Sequence, residues 1–152
     1  MKKLIVSILL LTTGYAGFTQ QNVNQSSDAV AKSNSQTKIH RIVFQLTTDD
    51  SLSHKALMKQ LNNILSVAPD TKIEVVCHGP GLSMLVTGKT IVQDKILVMK
   101  KKSVEFLACE FSMSERKVPK EQIIPEAGFV KAGIIEIVSR QEEGWSYIKS
   151  GF

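Results

Sequence analysis

Three short apolar runs, "KIHRIVFQLT" (38–47), "KIEVVC" (72–77) and "SVEFLAC" (103–109), stand between stretches whose apolar residues fall at helical spacing. That alternation constrains the fold more than any other feature of the chain. The runs, ten, six and seven residues long, are of largely hydrophobic and β-branched character, so each reads as a strand buried on both faces rather than one that alternates in and out. Strands of that kind, separated by helices, build a parallel sheet sandwiched by helices.

The intervening segments fit. "TTDDS" breaks the first run, and Asp50 or Ser51 can cap a helix. Leu52, Ala56, Leu57, Leu61, Ile64, Leu65 and Ala68 then follow at helical spacing until Pro69-Asp70 ends them. "HGPG" stops the second strand, "LSMLVTG" reads as a short helical piece, and "TIVQDKILVMKKK" as a longer helix with Thr90 as its cap. After the third strand, "EFSMSERKV" reads as a loop or one helical turn, and "PKEQII" as another turn opened by proline. A short fourth strand is expected around Phe129, a helix over "IIEIVSRQEE" closed by Gly144, and a fifth short strand at "WSYIK".

The 152 residues suit one domain, but not all belong to it. "MKK" followed by "LIVSILLLTTGYAGF" has the basic head and apolar middle of a secretory signal peptide, with Gly17 and Thr19 suited to a cut before Gln20. The apolar run is shorter than the ~20 residues of a spanning helix. Residues 1–19 are therefore expected to direct export and come off, leaving no stable membrane anchor; an uncleaved anchor with the same topology is the alternative. The location expected is the periplasm or another exported compartment. Residues 20–37, "QQNVNQSSDAVAKSNSQT", have almost nothing to bury and read as a flexible leader. The folded domain is expected over 38–152.

The whole chain carries 19 basic and 14 acidic residues, or +5. Without Lys2 and Lys3 the balance is 17 to 14, or +3. The one dense basic run, Lys100 to Lys102, reads as a solvated helix end, and no aromatic residues interleave with it as a nucleic-acid surface requires. No nucleic-acid partner is expected.

In a parallel sheet every strand-to-helix connection leaves by the same edge, and ligands bind there. That edge collects Thr47 to Asp50 and His54, then Cys77, His78, Gly79, Pro80 and Gly81, then Cys109, Glu110, Ser112 and Met113. Cys109 is either a buried structural thiol or a nucleophile whose thiolate is favoured by unpaired backbone N–H groups, with Glu110 opposing. His78 is either a structural cap or a proton donor beside the thiol. Gly79 and Gly81 lack the spacing of a phosphate-binding loop or a dinucleotide fingerprint and serve backbone turning. No cofactor is expected. A zinc site of Cys77, His78, Cys109 and His54 matches no structural motif, so no metal is expected either.

Two cysteines in an exported chain also raise a disulfide. Adjacent strands lie ~4.8 Å apart, and a bridge needs Cα atoms within roughly 7 Å. If the first strand lies between the second and third the bridge is excluded; if the second and third are neighbours it can form.

"KIHRIVFQLTTDD", "IEVVCHGPGLSML", "VEFLACEFSM" and "IIPEAGFVKAGIIEIVSRQEEGWSYIK", in this order, resemble the DsrE/DsrF-like family over about residues 38–149. The carrying features are "HGPGL", the cysteine of the third strand, the "AG-x-x-E" opening of the last helix and the closing "RQEEG-aromatic-x-YIK". The resemblance implies a three-layer α/β/α sandwich with a mostly parallel sheet of about five strands. It also implies trimers or hexamers, and a sulfur relay that carries sulfur as a persulfide on a cysteine. Cys109 falls on that cysteine. Catalytic roles are then expected for Cys109 and His78, and ligand contacts for Gly79, Pro80, Gly81, Glu110, Ser112 and Met113. A homo-oligomer and a sulfur-donor or acceptor protein are the expected partners. Phe111 departs from the pattern, standing where many relatives have Asn, and Cys77 is an additional thiol. The function expected is a sulfur-handling protein of the cell envelope. Its alternatives are a non-catalytic oligomeric binding module for a small ligand or protein, and a purely structural envelope protein with Cys109 inert.

Overall fold

The computed structural model describes residues 39–151. The expected signal peptide and leader, residues 1–37, lie outside them. Five strands run in the order β4-β3-β2-β1-β5, each parallel to its neighbours. They are β1 (Arg41–Leu46), β2 (Lys72–Cys77), β3 (Val104–Cys109), β4 (Gly128–Val130) and β5 (Ser146–Ser150). The helices are α1 (Ser51–Val67), α2 (Gln93–Lys101), α3 (Glu110–Glu115) and α4 (Gly133–Glu142), with 3-10 segments at Gly79–Leu85 and Lys120–Gln122.

One face of the sheet carries the main core. Phe44 and Leu46 of β1, Ile73, Val75 and Cys77 of β2, and Val104, Phe106 and Ala108 of β3 point to it. Leu57, Met58, Leu61 and Leu65 of α1 and Ile96 and Met99 of α2 close over them. The apolar stripe of α1 is the one its sequence spacing predicts. Asp50 caps the helix by accepting a hydrogen bond from Ser53 N–H at 2.7 Å. Thr90 does not cap α2. Its hydroxyl accepts from Val92 N–H, and the helix starts at Gln93 because Val92 is drawn into the core. Lys100, Lys101 and Lys102 end α2 in solvent, as expected. Gly144 follows α4 with φ +84, a left-handed position that glycine takes without strain.

The other face is covered differently. It carries Val43 and Gln45, then Glu74, Val76 and His78, then Glu105, Leu107 and Cys109. A single helix, α4, crosses it, touching β1, β2, β3 and β5. Its cluster is small: Val43, Val76 and Ile137, with Leu107, Val130 and Trp145 around them. The strands are thus less uniformly buried than their apolar runs suggest, since Glu105 is exposed and Leu107 only partly covered. The layering is nonetheless α/β/α, and every βα connection leaves from one edge. Among the described residues no helix is long and apolar enough to cross a membrane.

Candidate functional site around Cys109

Cys109 is the last residue of β3, and α3 begins at the next residue with no spacer. The strand's alternation turns its side chain to the α4 face. Gly133, the first residue of α4, lies directly over it and donates its N–H to Cys109 Sγ at 3.2 Å. A side chain at 133 would crowd its neighbours: a Cβ there would sit 3.0 Å from Val76 Cγ1, 3.2 Å from His78 Cβ and 3.4 Å from Cys109 Cβ. The glycine lets α4 start close enough to reach the sulfur.

Ser112 ties the second and third strand ends together. Its hydroxyl oxygen accepts from Gly79 N–H at 2.8 Å, and the same hydroxyl favours the Cys109 thiolate. Burial pushes the Cys109 thiol pKa up. The backbone N–H groups of Ser112, Gly133 and Phe111, with the Ser112 hydroxyl, outweigh it and bring the pKa below the ordinary thiol value. Glu110 does not oppose this as its sequence position suggests. Its carboxylate pairs with Lys120 at 2.7 Å and Lys131 at 3.6 Å, and those cations hold its pKa below the usual range.

A cavity of about 390 Å³ opens beside the sulfur, lined by His78, Gly79, Cys109, Phe111, Ser112 and Ile134, with Glu115 at its edge. Phe111 and Ile134 are each more than half exposed, whereas Cys109 is 4% exposed. The sulfur therefore forms part of the cavity floor. His78 shares this cavity but does not hydrogen-bond the thiol. Its Nε2 accepts from Gln45 Nε2 at 2.8 Å, and Gln45 Oε1 accepts in turn from the Tyr147 hydroxyl. Burial lowers the His78 pKa and favours the neutral ring.

The other expected site residues lie elsewhere. Pro80 lines a neighbouring cavity of about 450 Å³ with Asp49, Lys89 and Arg116. Gly81 is buried where a Cβ would stand 2.2 Å from the Leu46 carbonyl oxygen, so its absence of a side chain serves packing. Met113 belongs to the main core. His54 is buried and hydrogen-bonds the Thr48 carbonyl oxygen at 2.9 Å. Among the described residues no group of histidines, cysteines and carboxylates is placed to hold a metal.

Both cysteines are free. β2 and β3 are neighbours, the arrangement that would permit a bridge, but register prevents it. Cys77 pairs with Ala108, so Cys109 is one residue further along and points to the opposite face. Cys77 is enclosed in the main core, and burial pushes its thiol pKa far up.

The DsrE/DsrF-like family profile matches residues 40–150. The chain belongs to the DsrE/DsrF-like family. That is a family of sulfur-relay type. Among solved structures, the chain is similar to a protein of unknown function from Methanobacterium thermoautotrophicum, MTH1491. The two share 25% identity with a TM-score of 0.69, over 72% of this chain and 98% of that one. No curated protein matches the chain.

Three residues of this DsrE/DsrF-like site escape a reading of chemistry along the chain. Gly133 was visible only as part of the "AG-x-x-E" helix opening. Gln45 left a trace as the single polar residue inside "IVFQL". Tyr147 was visible only within the closing "RQEEG-aromatic-x-YIK", because its place beside β1 depends on β5 joining the far edge of the sheet.

Proposed function

We propose that this protein handles sulfur by carrying it as a persulfide on Cys109. The observation that carries the reading is the Gly133 N–H donated to Sγ, with Ser112 and Phe111 also favouring the thiolate, beside a cavity large enough for a small sulfur donor. Donors aimed at a sulfur favour its anionic form, and the thiolate is the nucleophile. Attack on the terminal sulfur of a hydropolysulfide forms the Sγ–S bond and breaks the next S–S bond. The electron pair leaves with the shortened polysulfide, and the proton stays on the transferred sulfur. No separate oxidant is required.

The chain is further proposed to work in the cell envelope, exported by residues 1–19 and cut between Thr19 and Gln20. Outside the reducing cytoplasm a persulfide competes with oxidation, and the low exposure of Cys109 supports its survival there. N-terminal sequencing of the protein from fractionated cells is expected to begin at Gln20. An intact Met1 on a cytoplasmic protein would remove export from the proposal.

The decisive experiment is intact-mass measurement after exposure to polysulfide. A gain of one sulfur atom, reversed by reductant and absent in Cys109→Ser, is expected. A folded wild-type protein that takes up no sulfur would end the reading.

The same 4% exposure favours a second reading, a binding module in which the thiol is inert. In that case Cys109→Ala keeps thermal stabilisation by the ligand and loses only packing, roughly 1 kcal/mol.

A further inference from the structure

The hydrogen-bond chain from β5 to the end of β2 has a consequence for the sulfur site. Tyr147 of β5, Gln45 of β1 and His78, just past the end of β2, share the α4 face on a staggered line: Tyr147 is in register with Val43 and Gln45 with Val76, and each passes its hydrogen bond to the next. The Tyr147 hydroxyl donates to Gln45 Oε1, and the amide turns its Nε2 to the ring. Gln45 Nε2 then donates to His78 Nε2 at 2.8 Å. A neutral imidazole accepting at Nε2 carries its proton on Nδ1. Among the described residues Nδ1 has no hydrogen-bond partner, and His78 lines the cavity that holds Cys109.

We propose that Gln45 and Tyr147 are positioning residues that hold His78 as the Nδ1–H tautomer, so that a neutral N–H donor meets the outer sulfur of a persulfide on Cys109. The inference rests on the sulfur-carrier reading and adds a second point of recognition to it. The Gly133 N–H serves Sγ, the inner sulfur, whereas His78 serves the sulfur beyond it. A neutral donor suits this task. Once the transferred sulfur gives its proton to solvent, the N–H stabilises the anionic outer sulfur without reprotonating it, and so keeps it nucleophilic toward an acceptor. No bond is made or broken by the imidazole.

Nitrogen NMR of protein labelled in its three histidines, with His78→Gln supplying the assignment, reads the tautomer directly. The wild type is expected to show one tautomer, protonated at Nδ1, at neutral pH. Gln45→Leu is expected to show a mixture, and Tyr147→Phe a partial loss, with folding checked by circular dichroism. In the polysulfide assay Gln45→Leu is expected to accept sulfur but lose the bound sulfur several-fold faster to solvent, while Gln45→Glu, which cannot donate while ionised, does not rescue it. A wild-type Nε2–H tautomer would overturn the proposal. So would a tautomer unchanged in Gln45→Leu, or an unchanged persulfide lifetime in that variant. The tautomer is read without sulfur, so an inert Cys109 beside a locked His78 would defeat the carrier function separately from the tautomer lock.

Discussion

Ser112 is the residue on which the thiol site turns, because one hydroxyl serves two strand ends. It accepts from Gly79 N–H and favours the Cys109 thiolate. A hydrogen bond to a charged group contributes about 1.5–3 kcal/mol, so Ser112→Ala is expected to reduce the thiolate fraction roughly tenfold near neutral pH. Alkylation of Cys109 followed against pH measures this as a right-shifted profile; an unchanged profile would mean the hydroxyl does not support the thiolate. The same depressed pKa links stability to pH. A thiol ionising more readily when folded contributes its full stability above the unfolded value of about 8.5 and loses it as pH falls through the folded pKa. The wild type should therefore gain on Cys109→Ser as pH rises toward about 8.5, and the gap should level off above it. Cys77, whose pKa is raised by burial, acts in the opposite sense and only above that window. Urea denaturation at a series of pH values separates the two. A gap independent of pH would contradict the donor set on Sγ.

At the scale of elements, α4 is held to the sheet by an ion pair that the apolar pattern hides. Glu74 lies in the middle of β2, directly beside Glu105 of β3, and is 1% exposed. Arg140 of α4 reaches it with Nε at 2.9 Å and Nη2 at 2.8 Å, while Glu136 and Glu143 hold the rest of the guanidinium and Trp145 lies under it. Burial raises the Glu74 pKa, and Arg140 opposes that rise. Removing one partner of a buried pair costs about 3–5 kcal/mol. Arg140 remains 27% exposed, so Arg140→Met is expected near the lower end. The loss should shrink as pH falls and Glu74 protonates, and Glu74→Leu combined with Arg140→Met should recover most of it. A double-mutant cycle by urea denaturation tests this, and additive losses would show the pair is not coupled. The strands and helices were legible in the sequence because apolar runs and helical spacing follow directly from burial. The Glu74–Arg140 pair was not, since its partners are 66 residues apart and meet only once α4 crosses the sheet. The position of Cys109 at a strand end was equally legible. Its face relative to Cys77 was not, because that parity depends on the β2–β3 register, which local patterning does not fix. Gly79, Gly81 and Pro80 marked the correct turn, yet only Gly79 reaches the thiol cavity.

The whole molecule is lopsided. Two helices close one face of the sheet, whereas α4 alone covers the other and turns apolar side chains outward. Ile134 is 53% exposed, Ile135 63% and Val138 42%, all on one short helix. Side chains of this size rarely gather on the free surface of a monomer. We propose that a second copy of the chain covers them, in keeping with the trimers or hexamers that the family resemblance implies. A stable interface needs about 800 Å² from each partner, and Ile134, Ile135 and Val138 of α4 offer its apolar start. Ile134 also lines the thiol cavity, so assembly on this face would narrow the approach to Cys109. Light scattering is expected to give a multiple of the monomer mass, and Ile135→Lys to shift it toward the monomer without unfolding the domain. Cys109 in that variant should alkylate faster, because the neighbouring copy no longer shields the cavity mouth. A wild type that stays monomeric at high micromolar concentration would refute the interface. Dissociation with no change in alkylation would move the interface away from the sulfur site and leave the cavity open to its donor in every assembly state.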